Sequence, residues 1–234
     1  MNELKLAIFD LDGVIVDTAK YHYLAWKRLA QELGFDFTER DNERLKGVSR
    51  MRSLEILLAV GGQQKTEEEK LHLAAKKNTW YVEYIMQMDA SEILPGVLPF
   101  LQALKANKIT IALGSASKNA RTILERVGIT SFFDVIVDGN LVTKAKPDPE
   151  VFTLGAQLAG VPPQSAVVFE DAQAGIEAAL RAGMTVIGVG DPQLLQGAHH
   201  VIPGFSSFGF DEFLDIFITA SCANDCQGAK SRLE

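Results

Sequence analysis

Two aspartates one residue apart, Asp10 and Asp12, close the apolar run Leu6–Phe9. Alternate residues of an extended strand share a side, so both carboxylates are expected to point the same way. Clustered carboxylates repel one another unless a cation neutralises them. Oxygen ligands with open positions suit Mg²⁺, which keeps some of its waters and takes substrate phosphate. Other apolar runs end in comparable groups. Ile109–Leu113 leads into Gly114-Ser115-Ala116-Ser117, and Ala166–Phe169 leads into Glu170-Asp171. Between them the rigid turn KAKPDP, 144–149, presents Lys146. Ser115 and the amides after it, beginning at Ala116, suit a phosphate oxygen, and Lys146 would neutralise another. A carboxylate facing Mg²⁺ and phosphate can itself accept the phosphoryl group. Taken singly, each of these residues is as well explained as a loop former or a helix cap, Ser117 above all. Four acids, a hydroxyl and an ammonium at one sheet edge are harder to explain that way.

The elements that must hold these groups are legible from hydrophobic pattern. Leu6–Phe9, Ile109–Leu113, Val135–Val137, Ala166–Phe169 and Thr185–Val189 read as buried parallel strands. Helix-period segments alternate with the later ones: Val97–Ala106, Asn119–Val127, Pro149–Ala159 and Ala172–Ala182. Such alternation predicts an α/β fold with a doubly wound, Rossmann-like parallel sheet. Ligands of such sheets bind beyond the carboxyl ends of the strands, where the acids lie. Roughly a hundred residues separate the first two strands, far more than a crossover needs. That stretch is helical in pattern over Lys20–Leu33, Ser53–Val60 and Glu67–Met88. Thr38 with Asp41 and Thr66 with Glu69 give two helix-start signals. The spacing predicts an inserted helical cap over 17–88, a core of 1–16 with 89–220, and a mobile tail over 221–234.

Composition narrows the partners. Twenty-three Lys and Arg against thirty Asp and Glu leave a net charge of −7. That balance argues against sequence-blind binding to nucleic acid or an anionic membrane, although it allows a local basic pocket. Cys222 and Cys226 lie close together near the end and read as reduced thiols rather than a disulfide scaffold or zinc site. No apolar leader or membrane-length run is present, so a cytoplasmic protein is expected, and a monomer is expected alongside it. No G-x-x-x-x-G-K-[ST] loop occurs, and Gly188-Val189-Gly190 lacks the dinucleotide fingerprint, so an ATP donor held in a P-loop is not expected. His199-His200 reads as an ordinary loop pair.

FDLDGVIVDT at 9–18, Ser115 after an apolar strand, Lys146-Pro147 and FEDAQAGIEAA at 169–179 together resemble the haloacid dehalogenase superfamily of phosphotransferases. The motifs occur in that family's order across the core. The resemblance implies Asp10 as nucleophile and Asp12 as general acid/base. It implies Mg²⁺ held by the Asp10 carboxylate, the Asp12 carbonyl, Glu170 and Asp171, with Ser115 and Lys146 on the transferring phosphoryl group. DTAKYHYLAWKRLA at 17–30, LKGVSR at 45–50 and GSASKN at 114–119 are similar to the sugar-phosphate mutases of that superfamily, with Gly114 standing where Ala is expected. By that resemblance His22, which shares a helix face with Thr18, links cap closure to positioning of Asp12. Lys46, Gly47, Val48 and Ser49 would touch the sugar. Arg50, Ser117, Lys118 and Asn119 would grip the non-transferring phosphate, and Lys77 is a further cap candidate. The implied substrates are β-glucose 1-phosphate, glucose 6-phosphate and the 1,6-bisphosphate. Two alternatives stay open: a phosphatase for small phosphates on the same scaffold, and a non-catalytic phosphoacceptor that uses Asp10 as a switch. A switch would need neither Asp12 nor a bulky cap.

Overall fold

The computed structural model describes residues 3–45 and 48–230. Six strands form one parallel sheet in the order β3-β2-β1-β4-β5-β6. They are β1 Leu6–Phe9, β2 Thr110–Gly114, β3 Val135–Val137, β4 Ala166–Glu170, β5 Thr185–Val189 and β6 His200–Ile202. All four residues of β1 are buried, as a central strand covered on both faces requires. Side chains alternate across the sheet. Leu6 and Ile8 join one apolar cluster with Phe152 and Ile176, while Ala7 and Phe9 join another with Leu101, Ile123 and Phe213. Helices α5 (Val97–Ala106), α6 (Ala120–Arg126) and α9 (Phe210–Lys230) supply the second cluster, and α7 (Glu150–Ala159) and α8 (Gln173–Arg181) the first.

The strand-end residues are set by how β1 and β4 lock together. Phe9 and Phe169 are register partners across the two strands, and their rings stack 4.7 Å apart at 8°. Phe100, Phe205 and Phe213 surround Phe169 at 5.4 to 5.5 Å. A register slip of one residue would turn Phe9 out of this cluster, so the pairing is strongly specified. It brings the next residues of both strands, Asp10 and Glu170, side by side.

The insert is a four-helix cap: α1 Ala19–Glu32, α2 Glu39–Glu43, α3 Arg50–Val60 and α4 Glu67–Ile85. Thr38 with Asp41 and Thr66 with Glu69 form reciprocal capping boxes at the starts of α2 and α4, the two signals legible in the sequence. The antiparallel pair α1 and α4 is the cap's main seam. There Arg28 lies over the Trp80 ring at 4.2 Å and Lys76 pairs with Glu32 at 2.5 Å. Two linkers join cap to core, bridged antiparallel at Val16 and Ile93, with the Leu94 amide donating to the Ile15 carbonyl at 2.9 Å.

Two expectations need correction. His200 is not a loop residue: it begins β6, which pairs with β5, and His199 Nδ1 accepts the Val186 amide at 3.1 Å. Three residues with an exposed polar first position carry too little pattern to reveal such an edge strand. The stretch after Ala220 is also helical through Lys230, as the end of α9, where the sequence pattern suggests a tail. Cys222 lies on it, free and exposed. No helix among the described residues is long and apolar enough to cross a membrane.

Phe169→Ala should empty the centre of the aromatic cluster and lower unfolding free energy by about 3–5 kcal/mol, measured by urea denaturation. A loss below about 1 kcal/mol would mean that the stack does not set the β1–β4 register.

Candidate active site

The topological switch of the sheet lies between β1 and β4, from which the chain winds outward in both directions, and the candidate residues gather beyond it. Asp10 directly follows β1, Ser115 follows β2, and Glu170 and Asp171 end and follow β4. Lys146, buried, reaches between two of them. Its Nζ donates to Asp10 Oδ1 at 2.5 Å and also to Glu170 Oε1. Glu170 Oε2 accepts the Ala172 amide at 2.9 Å. A Cβ on Gly175 would lie 1.9 Å from the Glu170 carboxylate, and one on Gly13 would lie 2.1 Å from Asp171 Oδ2. Each glycine therefore lets a carboxylate approach backbone that any other residue would cover.

Charge in this pocket is strained. Burial pushes the Asp171 carboxyl up to about 8, helped by the charges of Glu170, Asp10 and Asp12. Burial also raises Asp12 to about 7, with Asp10 adding to the shift and Lys146 and Lys77 opposing it. Glu170 moves up for the same first reason, and Lys146 only partly offsets it. Desolvation alone would lower Lys146, but the attraction of Asp10 and Glu170 outweighs it and raises that ammonium. One oxygen each from Asp10, Glu170 and Asp171 lies within 4.8 Å of the others. An all-oxygen donor set with excess negative charge fits a hard divalent cation. The Asp12 carboxylate stands outside this group. Its Oδ1 is buried with no hydrogen-bond partner among the described residues.

The loop after β2 is laced into a tight turn. Ser115 Oγ accepts the Ser117 amide at 3.1 Å, and Ser117 Oγ accepts the Asn119 amide at 3.2 Å. Ser117 thus serves the loop rather than capping α6, whose N-cap is Asn119. The Ala116 and Lys118 side chains are exposed there. Gly114 faces the core, where a Cβ would sit 3.0 Å from the Phe152 ring and 3.2 Å from Ile8.

From the cap, His22 and Lys77 reach toward the same place. Lys77 is buried, its Nζ 2.9 Å from His22 Nδ1 and over the rings of Trp26 and Tyr81 at 4.5 and 4.7 Å. His22 in turn stacks on Tyr81 at 4.0 Å. Burial holds both His22 and Lys77 well below their usual values. Lys77 and Arg50 lower His22 further, and Arg50 lowers Lys77 further, with Asp12 opposing only the second shift. Thr18 Oγ1 and Tyr81 OH are neighbours, yet neither has a partner in hydrogen-bond geometry among the described residues. Ser49 is the N-cap of α3, its Oγ accepting the Arg52 amide at 3.3 Å, and Arg50 is the helix's first residue. Val48 is half-buried beside them. Lys46 and Gly47 lie outside the described residues.

Several contributors carried no signal of their own in the sequence. Tyr81 and Trp26 read as ordinary apolar helix positions. Asn78 accepts from Asn119 Nδ2 across the cleft at 3.3 Å, a contact visible only once cap and core are assembled. Gly175, by contrast, stands inside the motif FEDAQAGIEAA, and its proximity to Glu170 was the missing element.

Comparison with known proteins agrees with this geometry. A family model described as haloacid dehalogenase-like hydrolase matches residues 7–189. The chain is 44% identical to a β-phosphoglucomutase of Bacillus subtilis, over 85% of this chain and 89% of the relative. It is 33% identical to a phosphorylated carbohydrates phosphatase of Thermotoga maritima, over 77% and 82%. Among solved structures, a β-phosphoglucomutase from Clostridium difficile superposes with a TM-score of 0.88 at 41% identity, covering 93% of this chain and 98% of that one. With the motifs in order, the acids at the switch point and the cap between the first two strands, the chain belongs to the haloacid dehalogenase-like hydrolase family.

Proposed function

We propose that this protein is a β-phosphoglucomutase, interconverting β-glucose 1-phosphate and glucose 6-phosphate through a phosphorylated Asp10. The observation that carries the reading is the charge on the cap. Arg50 and Lys77 have no carboxylate in salt-bridge contact among the described residues, and burial lowers the affinity of both for their protons. The Arg50 guanidinium, with no ion-pair partner among the described residues, provides for a second anion besides the transferring one. A sugar carrying two phosphates meets both sets.

In this mechanism Asp10 carries the phosphoryl group, held by Lys146 and the Ser115 loop. The 6-hydroxyl of glucose 1-phosphate attacks phosphorus, and the bond to the Asp10 oxygen breaks. Asp12 takes the hydroxyl proton, and a carboxyl poised near 7 suits both that step and its return. The 1,6-bisphosphate then turns over, and Asp10 attacks the 1-phosphate. Asp12 returns its proton to the departing sugar oxygen, giving glucose 6-phosphate. Arg50, Ser117, Lys118 and Asn119 would hold whichever phosphate is not transferring, and Lys46, Gly47, Val48 and Ser49 would face the sugar. Thr18, His22 and Lys77 would couple closure of the cap to the position of Asp12 and so keep water from the phospho-aspartate. Mg²⁺ held by Asp10, the Asp12 carbonyl, Glu170 and Asp171 would neutralise charge on the phosphoryl oxygens when bound.

Hydrolysis of sugar phosphates is the competing reading, favoured by the similarity to the Thermotoga maritima phosphatase. The two separate in one assay. With Mg²⁺, a bisphosphate primer and β-glucose 1-phosphate, glucose 6-phosphate should form well ahead of free phosphate; phosphate released one-for-one with substrate loss would overturn the mutase reading.

The strained carboxylates predict a metal effect that does not depend on turnover. Folded-state values raised to about 7 and 8 mean that Asp12 and Asp171 favour folding most below the unfolded carboxyl range. That contribution is lost as pH rises from the unfolded carboxyl range through those values, because the unfolded chain releases these protons while the folded state still holds them. Metal-free protein should therefore lose thermal stability from pH 5.5 to 8.5, and Mg²⁺ should raise Tm more at pH 8.5 than at pH 5.5. Equal Mg²⁺ shifts at both pH values would contradict the assigned ligand set.

A further inference from the structure

The cap meets the core at two places of unequal strength. At the mouth, the hydrogen bond between cap and core among the described residues is a neutral amide pair, Asn119 Nδ2 to Asn78 Oδ1. At the hinge, Glu92 gathers three bonds. Its Oε1 accepts from Tyr21 OH at 2.6 Å, its Oε2 pairs with Lys20 Nζ at 2.6 Å, and its carbonyl accepts the Asp17 amide at 3.2 Å. Its side chain is only 13% exposed. Burial alone would raise the Glu92 carboxyl, yet the bonds from Lys20 and Tyr21 outweigh it and hold it below the usual range. Glu92 also ends the short turn Ala90–Glu92, fixed by Asp89 Oδ1 accepting the Ser91 amide at 2.8 Å. Charge-assisted bonds of this length are stronger and more directional than an amide pair.

The same helical turn has a second duty. The amides of Tyr21 and His22 both donate to the Thr18 carbonyl at 3.0 and 3.1 Å, so residues 18–22 form one hydrogen-bonded turn. One side of that turn, Lys20 and Tyr21, is fastened to the second linker. The other side, Thr18 and His22, meets Tyr81 and Lys77 beside Asp12. We propose that Glu92 is a positioning residue: by bolting the first turn of α1 to the second linker, it sets where the closed cap stops and so where His22 and Thr18 stand relative to Asp12. The mouth opens by parting the Asn78–Asn119 pair while the hinge stays fastened. This inference rests on the reading of the site as a sugar-phosphate enzyme with a closing cap.

The test compares two phosphoryl substrates. Acetyl phosphate is small enough to phosphorylate Asp10 without cap contacts, whereas glucose 1-phosphate needs them. Glu92→Ala should keep its rate with acetyl phosphate and lose about tenfold or more in kcat/KM for glucose 1-phosphate, since small misplacements at a reacting centre are costly. Tyr21→Phe, which removes one hydroxyl, should move selectivity in the same direction by less and stands in if Glu92→Ala does not fold. Exchanging the charges in Lys20→Glu with Glu92→Lys should recover part of the selectivity lost in either single variant. Equal losses on both substrates, or unchanged selectivity in a folded Glu92→Ala protein, would overturn the proposal. If the wild-type protein only hydrolyses glucose 1-phosphate, the mutase reading fails. The selectivity comparison still decides the hinge claim.

Discussion

Lys146 stands buried between Asp10 and Glu170, and the rest of the site follows from that arrangement. Three carboxylates converge at the ends of β1 and β4, where their mutual repulsion would favour protonation or loosening of the strand ends. One ammonium in contact with two of them makes the cluster tolerable without discharging it. Removing one partner of such a buried group costs about 3–5 kcal/mol, because the remaining charge is left without compensation. The aromatic stack of Phe9 on Phe169 works from below: it fixes the register that places Asp10 and Glu170 within one lysine's reach. Packing and electrostatics thus specify the same two backbone positions.

The cap answers with the opposite charge. Lys77 and Arg50 have no carboxylate in salt-bridge contact among the described residues, and His22, Tyr81 and Lys77 stack on one another near Asp12. In the function proposed, a negatively charged ligand between the halves would satisfy both at once, a physical reason for the cap to close over a phosphorylated sugar rather than over water. The net charge of −7 therefore says little about the ligand. A few cations gathered at one cleft outweigh an acidic exterior.

Much of this was legible in the residues. The buried strands announce themselves as unbroken apolar runs, with the acids and serine of the core at their ends and the lysine in the rigid turn KAKPDP. The capping boxes at Thr38 and Thr66 fixed two cap helices at their starts. What escaped was whatever depends on tertiary contact. Three residues with polar His200 exposed on an edge strand do not show a strand period. Tyr81 and Trp26 satisfy the ordinary apolar pattern of a helix whatever lies above them, and Glu92 looks like any linker acid until Lys20 and Tyr21 are brought to it. Ser117, which taken alone reads as a helix cap, instead bonds the Asn119 amide within the loop, a choice decided by the turn after β2 rather than by residue type.

The central claim is that Asp10 carries the phosphoryl group from one sugar position to the other. Brief incubation with glucose 1,6-bisphosphate and Mg²⁺, acid quenching and peptide mass mapping test it most directly. The account predicts one phosphoryl group on the peptide containing Asp10, lost on chasing with glucose 1-phosphate and absent from Asp10→Asn. Phosphate on another residue, or equal labelling of Asp10→Asn, would contradict it.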